Sequence, residues 1–313
     1  MAFTRVDANQ RHFRRVPSAV LAILAVLAVV AAGCSSSGSK KAGHSKAAEQ
    51  YYVSLGDSYA TGYQVTDPSG SGANTTNGFA YQIPPLAKAK GYDFKLMNFG
   101  CGGATTTSIL NSQGCPAPAL GPGATPYDGM TQIAAAEQFL RQHKGHIGLI
   151  TVSISGNDAT SCAKEADPIS CVTTAVQSIK TNVTALVGRL RAAAPNVPIV
   201  GTTYPDVILA EYLTPAGKNL ATLSVTAFKA LINPALQESY ASAGGKFVDV
   251  TAASGAYGPM TETTTLAPYG DIPVPVAKVC ELSFMCQYQN IHATTPGYHL
   301  IAQLVVDTLP ARR

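Results

Sequence analysis

Ser58 closes the stretch "QYYVSLGDSYATG" at residues 50–62. Tyr51, Tyr52, Val53 and Leu55 are strand-forming side chains there, and Gly56-Asp57-Ser58 is the vocabulary of a tight turn. A serine hydroxyl held at the end of a buried strand is a candidate nucleophile, provided a base takes its proton as it attacks. An ordinary turn would have the same composition. Three later stretches offer groups that such a serine would need. "MNFGCGGATT" ends a second strand in a glycine cluster, where an uncovered backbone N–H could face a substrate oxygen. "SISGNDAT" ends a long apolar strand and presents the Asn157 amide as a hydrogen-bond donor. "QNIHATTPGYH" puts His292 in a loop just before the last helical pattern. Each stretch alone also reads as a plain turn or a solvated loop.

The elements that would position these groups alternate along the chain. Strand patterns occur at "YYVSL", "FKLMNFG", "IGLITVSIS", "VPIVGTTYP" and "KFVDV". The third is almost continuously apolar, as a strand covered on both faces should be. Between them lie a short proline-interrupted helix at "FAYQIPPLAKAKG" and another at "MTQIAAAEQFLRQH". The clearest helix carries Val172, Val176, Ile179, Val183, Leu186 and Leu190 at steps of four and three, one stripe facing a sheet. A helical stretch from about Lys218 is expected to break near Asn233-Pro234. Residues 251–289 read as irregular, and a closing helix starts at "TTPGYHLIAQLVVDTL" with Pro296 in its first turn. This alternation predicts an α/β fold, a three-layer sandwich around a central parallel sheet of about five strands, with working residues in loops at the strands' carboxyl ends.

The four stretches, in this order, resemble the conserved blocks of the SGNH hydrolases, also called the GDSL esterase/lipase family, whose fold is flavodoxin-like. The resemblance runs from Tyr51 to the final helix. It is particularly similar to the secreted actinomycete lipases, which share the "LGDSYA" form and local disulfides. It implies that Ser58 is the nucleophile of an acyl-enzyme and His292 the general base and acid. It also implies an oxyanion hole built from the N–H of Ser58, the N–H of Gly103 and the side-chain amide of Asn157. The implied activity is hydrolysis of carboxylic esters without metal or other cofactor, by a monomer. Two departures stand out. Tyr59 occupies the place of the family leucine. Where the family pattern puts an aspartate three residues before the histidine, this chain has Gln289, and Ala293 replaces the usual proline after it. The expectation is a Ser–His dyad with His292 oriented by Gln289 or by a main-chain carbonyl, either of which can fix the imidazole tautomer without a full negative charge.

The chain's first 49 residues belong outside that fold. Residues 1–33 have a basic start with Arg5, Arg11, Arg14 and Arg15, then the apolar run "AVLAILAVLAVVAAG". That is a secretory signal, too short for a membrane span. Its Ala-Ala-Gly-Cys ending resembles a lipobox in which Cys34 is lipidated and anchors the protein to the membrane. Residues 34–49, "CSSSGSKKAGHSKAAE", read as a flexible tether. The domain is expected over 50–313, exported and either tethered to the extracellular face of the cell membrane or secreted. The leader and tether carry a net charge of +5 against +4 for the whole chain, so the body is near −1 and offers no electrostatic footprint for nucleic acid. Six cysteines remain: Cys101, Cys115, Cys162, Cys171, Cys280 and Cys286. Fifteen pairings are possible; joining neighbours is the simplest, and suits an oxidising compartment.

Competing chemistries lack their motifs. No G-x-S-x-G elbow, P-loop or dinucleotide fingerprint occurs, and the Ser-x-x-Lys match at Ser37 to Lys40 lies inside the tether. His143 and His146 have metal-like spacing but sit where a helix hands over to a strand, and His299 is a weaker base candidate within the last helix. The alternatives to an esterase are an envelope acyltransferase, which would pass the acyl group to an alcohol or sugar, and a surface lipoprotein that has kept the fold and lost the chemistry. The Gly/Pro-rich loops at 64–78 and 111–129 are expected to rim the cleft.

Overall fold

The computed structural model describes residues 48–312. The signal segment, Cys34 and all but the end of the tether lie outside the described residues. Five parallel strands form the central sheet: β1 (Glu49–Gly56), β2 (Asp93–Asn98), β3 (Ile147–Ser153), β4 (Ile199–Thr202) and β5 (Lys246–Val248). Their spatial order is β2-β1-β3-β4-β5, the doubly wound order whose switch point lies beside the first strand. In register, Val53 of β1 sits between Met97 of β2 and Ile150 of β3.

Side-chain alternation divides the sheet into two faces. Val53, Leu55, Ile150 and Val152 point one way, into a core closed by α2 (Gln132–Gln142), α3 (Pro168–Ala193) and α5 (Asn233–Ser242). Tyr52, Leu149 and Val200 point the other way, against α1 (Phe79–Ala87) and α7 (Thr295–Asp307). This is a three-layer α/β sandwich. All six stripe residues of α3 are buried, and the helix starts on Asp167, whose side chain accepts from Ser170 N at 3.1 Å, with Pro168 in the first turn.

Two regions differ from the sequence expectation. The helix α4 (Lys218–Ala227) does not break before α5; a π-helical turn, Phe228–Ile232, joins them. Pro234 has no N–H to donate, and a π turn spends the mismatch by widening the ladder instead of ending it. The stretch expected to be irregular contains a hairpin, Thr263–Leu266 with Gly270–Pro273, and the helix α6 (Val274–Leu282). Pro275 falls in the first turn of α6, where proline starts a helix rather than stopping one. Among the described residues no helix is long and apolar enough to cross a membrane.

Candidate active site

Ser58 opens a one-turn helix, Ser58–Thr61, directly after β1. Gly56 makes the exit possible. It has φ 140°, and a Cβ there would stand 2.0 Å from the Ser153 carbonyl oxygen, so only glycine lets β1 and β3 approach this closely. Gln132 grips the same residue from α2: its Oε1 accepts from Gly56 N at 2.7 Å and its Nε2 donates to Gly56 O at 3.0 Å. Asp57, fully buried, caps the turn by accepting from Tyr59 N at 2.9 Å and from the Tyr204 hydroxyl at 2.6 Å. Burial pushes the Asp57 carboxyl up to about 7, and the Tyr204 hydrogen bond offsets only part of that.

His292 arrives from the opposite end of the chain. A loop between α6 and α7 carries it, fastened by Phe284 N to His292 O at 2.9 Å and Thr294 N to Leu282 O at 3.0 Å. Gln64 Nε2 donates to Ala293 O at 3.2 Å, and the Tyr59 hydroxyl donates to Ile291 O at 2.6 Å. The Tyr63 ring lies 4.3 Å from the imidazole, centroid to centroid. The result is a short contact: Ser58 Oγ and His292 Nε2 are 2.8 Å apart. The other ring nitrogen, Nδ1, lies 2.7 Å from Asn290 Oδ1, which also accepts from the His292 backbone N–H at 3.1 Å. An amide oxygen can only accept, so Nδ1 carries the proton and the Nε2 lone pair faces the serine hydroxyl. Burial holds the imidazole down to about 4, so it is neutral over most of the pH range.

The orienting residue is therefore Asn290, and Gln289 is corrected. Gln289 sits at φ 53° at the end of a short helix, exposed, and lines a separate recess with Tyr269 and Cys286. Its left-handed backbone turns the chain so that the next side chain, not its own, reaches back to the ring. The expected main-chain alternative is also displaced, because the side-chain amide of Asn290 takes Nδ1. His299 is exposed and bonded to Gln82 Oε1 at 3.0 Å. His143 closes α2, with Nδ1 2.9 Å from Phe139 O. Among the described residues no cluster of His, Cys, Asp or Glu could hold a metal ion.

Asn157 is joined to the glycine loop through Ala104, the residue after Gly103. Asn157 lies in the short helix Gly156–Thr160 after β3, and its Nδ2 donates to Ala104 O at 2.8 Å. Gly103 is exposed with φ 81°, and a Cβ there would meet nothing within 4 Å. Neither its N–H nor that of Ser58 finds an acceptor among the described residues. Asp158 staples the two segments, accepting from Thr106 N at 2.9 Å and from Thr106 Oγ1 at 2.7 Å. Each neighbouring cysteine pair is a disulfide that braces one of these segments. Cys101–Cys115 holds the glycine loop, Cys162–Cys171 holds the Asn157 helix against α3, and Cys280–Cys286 holds the approach to His292.

A cleft runs from Ser58 and Asn157 away from the sheet, with about 880 Å³ of empty space including its open mouth. Its walls are the start of α3, the segment after β4, α4 and the π turn. The loops 64–78 and 111–129 contribute nothing to it; they tie to each other through Asn74, whose Nδ2 donates to Pro118 O and Leu120 O.

A sequence model of the "GDSL-like Lipase/Acylhydrolase family" matches residues 54–300. The chain belongs to that family, whose members are carboxylic ester hydrolases. A comparison with curated proteins found no match. Among solved structures, a lipase from a goat rumen metagenome superposes with TM-score 0.52 at 14% identity, over 84% of this chain and 99% of its own. An extracellular lipase from Streptomyces rimosus gives 0.48 at 20% identity, over 83% and 98%. A phospholipase A1 from Streptomyces albidoflavus gives 0.48 at 22% identity, over 83% and 99%. The rumen lipase supports the fold alone.

Proposed function

We propose that this family member is an exported serine esterase that cleaves carboxylic esters with Ser58 as nucleophile and His292 as base. One observation carries the reading: Nε2 of His292 lies 2.8 Å from Ser58 Oγ while Asn290 holds the opposite ring nitrogen in the tautomer that can accept a proton. Ser58 Oγ bonds to the acyl carbon as its proton passes to Nε2. The carbonyl oxygen becomes negative, and the N–H groups of Ser58 and Gly103 with the Asn157 amide are its donors. Losing one such donor costs about 3–4 kcal/mol. Collapse breaks the carbon–oxygen bond to the alcohol, which leaves with the proton from Nε2. Water then attacks the acyl-serine, giving a proton to the same nitrogen, and the acid departs as Ser58 regains its hydrogen. Every group in this cycle comes from one chain, so no second subunit is required.

The leader and Cys34 support export and a lipid anchor, and three disulfides suit the oxidising compartment that export reaches. The test is direct. A fluorophosphonate probe should label the wild type and not Ser58→Ala, and p-nitrophenyl esters should release nitrophenol and free acid. A protein that neither reacts with the probe nor turns over any ester would refute the reading, and acyl transfer to added glycerol in place of acid release would make it a transferase.

A further inference from the structure

The cleft beside Ser58 has a chemical character that fixes which half of an ester it can take. Ser58, Asn157 and Ile291 bound its head, but His292 is not part of its wall. The departing alcohol must collect its proton from Nε2, so it has to lie on the histidine side. The group left in the cleft is the acyl chain.

Beyond the head, the walls are carbon. Ile169 and Val172 come from α3, Val207 from the segment after β4, Leu220 and Leu223 from α4, and Phe228 from the π turn. Two polar side chains of the wall, Ser224 and Thr160, are already engaged. Ser224 Oγ bonds Asp206 Oδ2 and Ala221 O, each at 2.8 Å, and Thr160 Oγ1 donates to Gly156 O. Neither has a free donor to offer a sugar or a hydroxylated chain. Leu220, Leu223 and Phe228 are only half buried. They leave an apolar face open to solvent inside a concavity, the arrangement that marks a site for an apolar ligand. Phe228 and Ile232, one turn apart in the π segment, both line the cleft. An acetyl group would leave this wall wet.

We infer that the enzyme, on the reading above, selects esters of long unbranched aliphatic acids over acetate esters, with Leu223 and Phe228 as specificity-determining residues of an acyl-chain pocket. The physical expectation is additive. Each methylene moved from water onto carbon raises kcat/KM about fourfold until the cleft is filled.

Two measurements test it. The first is kcat/KM for p-nitrophenyl acetate, butyrate, octanoate and decanoate with the wild type, Leu223→Asn and Phe228→Asn, each checked by circular dichroism. The decanoate-to-acetate ratio should exceed about a hundredfold in the wild type and fall at least tenfold in both variants. An enzyme that hydrolyses acetate as well as decanoate overturns the acyl pocket and leaves the esterase intact. The second uses Ser58→Ala and does not depend on turnover. Calorimetric titration with decanoic acid should show saturable one-to-one binding, weakened at least tenfold by adding Leu223→Asn. Absence of saturable binding, or binding indifferent to Leu223, overturns the pocket even if esters are cleaved. Saturable binding in a protein that cleaves no ester would keep the pocket and remove the catalytic reading.

Discussion

Replacing Asn290 by aspartate isolates the one respect in which this site departs from a charged triad. The amide oxygen stands 2.7 Å from His292 Nδ1 and carries no net charge, so nothing offsets the burial that holds the imidazole near 4. A carboxylate at that distance favours the protonated ring. At an effective dielectric of about 20 a unit pair 4 Å apart gains about 4 kcal/mol, and opposite charges at contact move a pKa by about one to three units. In Asn290→Asp the base should therefore titrate between about 5 and 7. The base works only when neutral, so activity falls as pH drops through its pKa. The acid limb of kcat/KM, which reports the free enzyme, should lie near 4 in the wild type and one to three units higher in Asn290→Asp. Asn290→Ala behaves differently: the ring loses its acceptor, kcat falls by as much as about 10⁴-fold, and the limb does not rise. The assay is p-nitrophenyl ester hydrolysis between pH 3.5 and 8, followed at the nitrophenol isosbestic wavelength, with tyrosine fluorescence confirming the fold since the chain has no tryptophan. A limb that stays put in Asn290→Asp would refute the reasoning, because the residue would then not govern the charge on the ring.

Two further outcomes follow from the surroundings of the dyad. Tyr59→Phe keeps the edge-on packing against Tyr204 and Tyr298 but removes the hydroxyl from Ile291 O; kcat should drop about tenfold with KM unchanged, at a stability cost of about 1–3 kcal/mol, and unchanged kcat would show that the histidine loop holds itself. Asp206, buried and raised from 3.8 to about 7, keeps its proton in the fold after the unfolded chain has lost it, so stability falls as pH rises from about 4 to 7. Asp206→Asn should then stabilise more at pH 8 than at pH 5, by about 3 kcal/mol, measured by urea unfolding; an equal gain at both would mean that the carboxyl titrates normally.

The sheet was legible because its strands are read locally. An apolar run as short and β-branched as Ile147–Ser153 favours a covered strand over a helix, and the stripe on α3 has one solution for which face is buried. The places of Ser58, Gly103 and Asn157 after strands were legible for the same reason. What escaped depends on backbone turns. Asn290 was not legible because the family pattern puts the orienting acid three residues before the histidine, at Gln289. A left-handed residue at 289 shifts the reach by one, and a glutamine at φ 53° carries no advance notice. The wall of the cleft lies outside the glycine-rich loops and includes Leu220, Leu223 and Phe228. They lie in the helical stretch from Lys218, and nothing in its sequence announces a cavity beside it.

The site as a whole trades charge for rigidity. A carboxylate beside the imidazole would stabilise the imidazolium formed in the transition state, but it would also raise the resting pKa and cost activity in mild acid. Here the orienting group is neutral, and three disulfides, the Gln132 grip on Gly56 and the Tyr59 strap on Ile291 hold the partners where they must meet. Preorganised donors cost no reorganisation as charge develops, so bracing supplies part of what the missing charge would have given. Reduction of the disulfides should for that reason lower kcat more than it raises KM, since a loosened dyad loses alignment before the apolar cleft loses its grip on the chain.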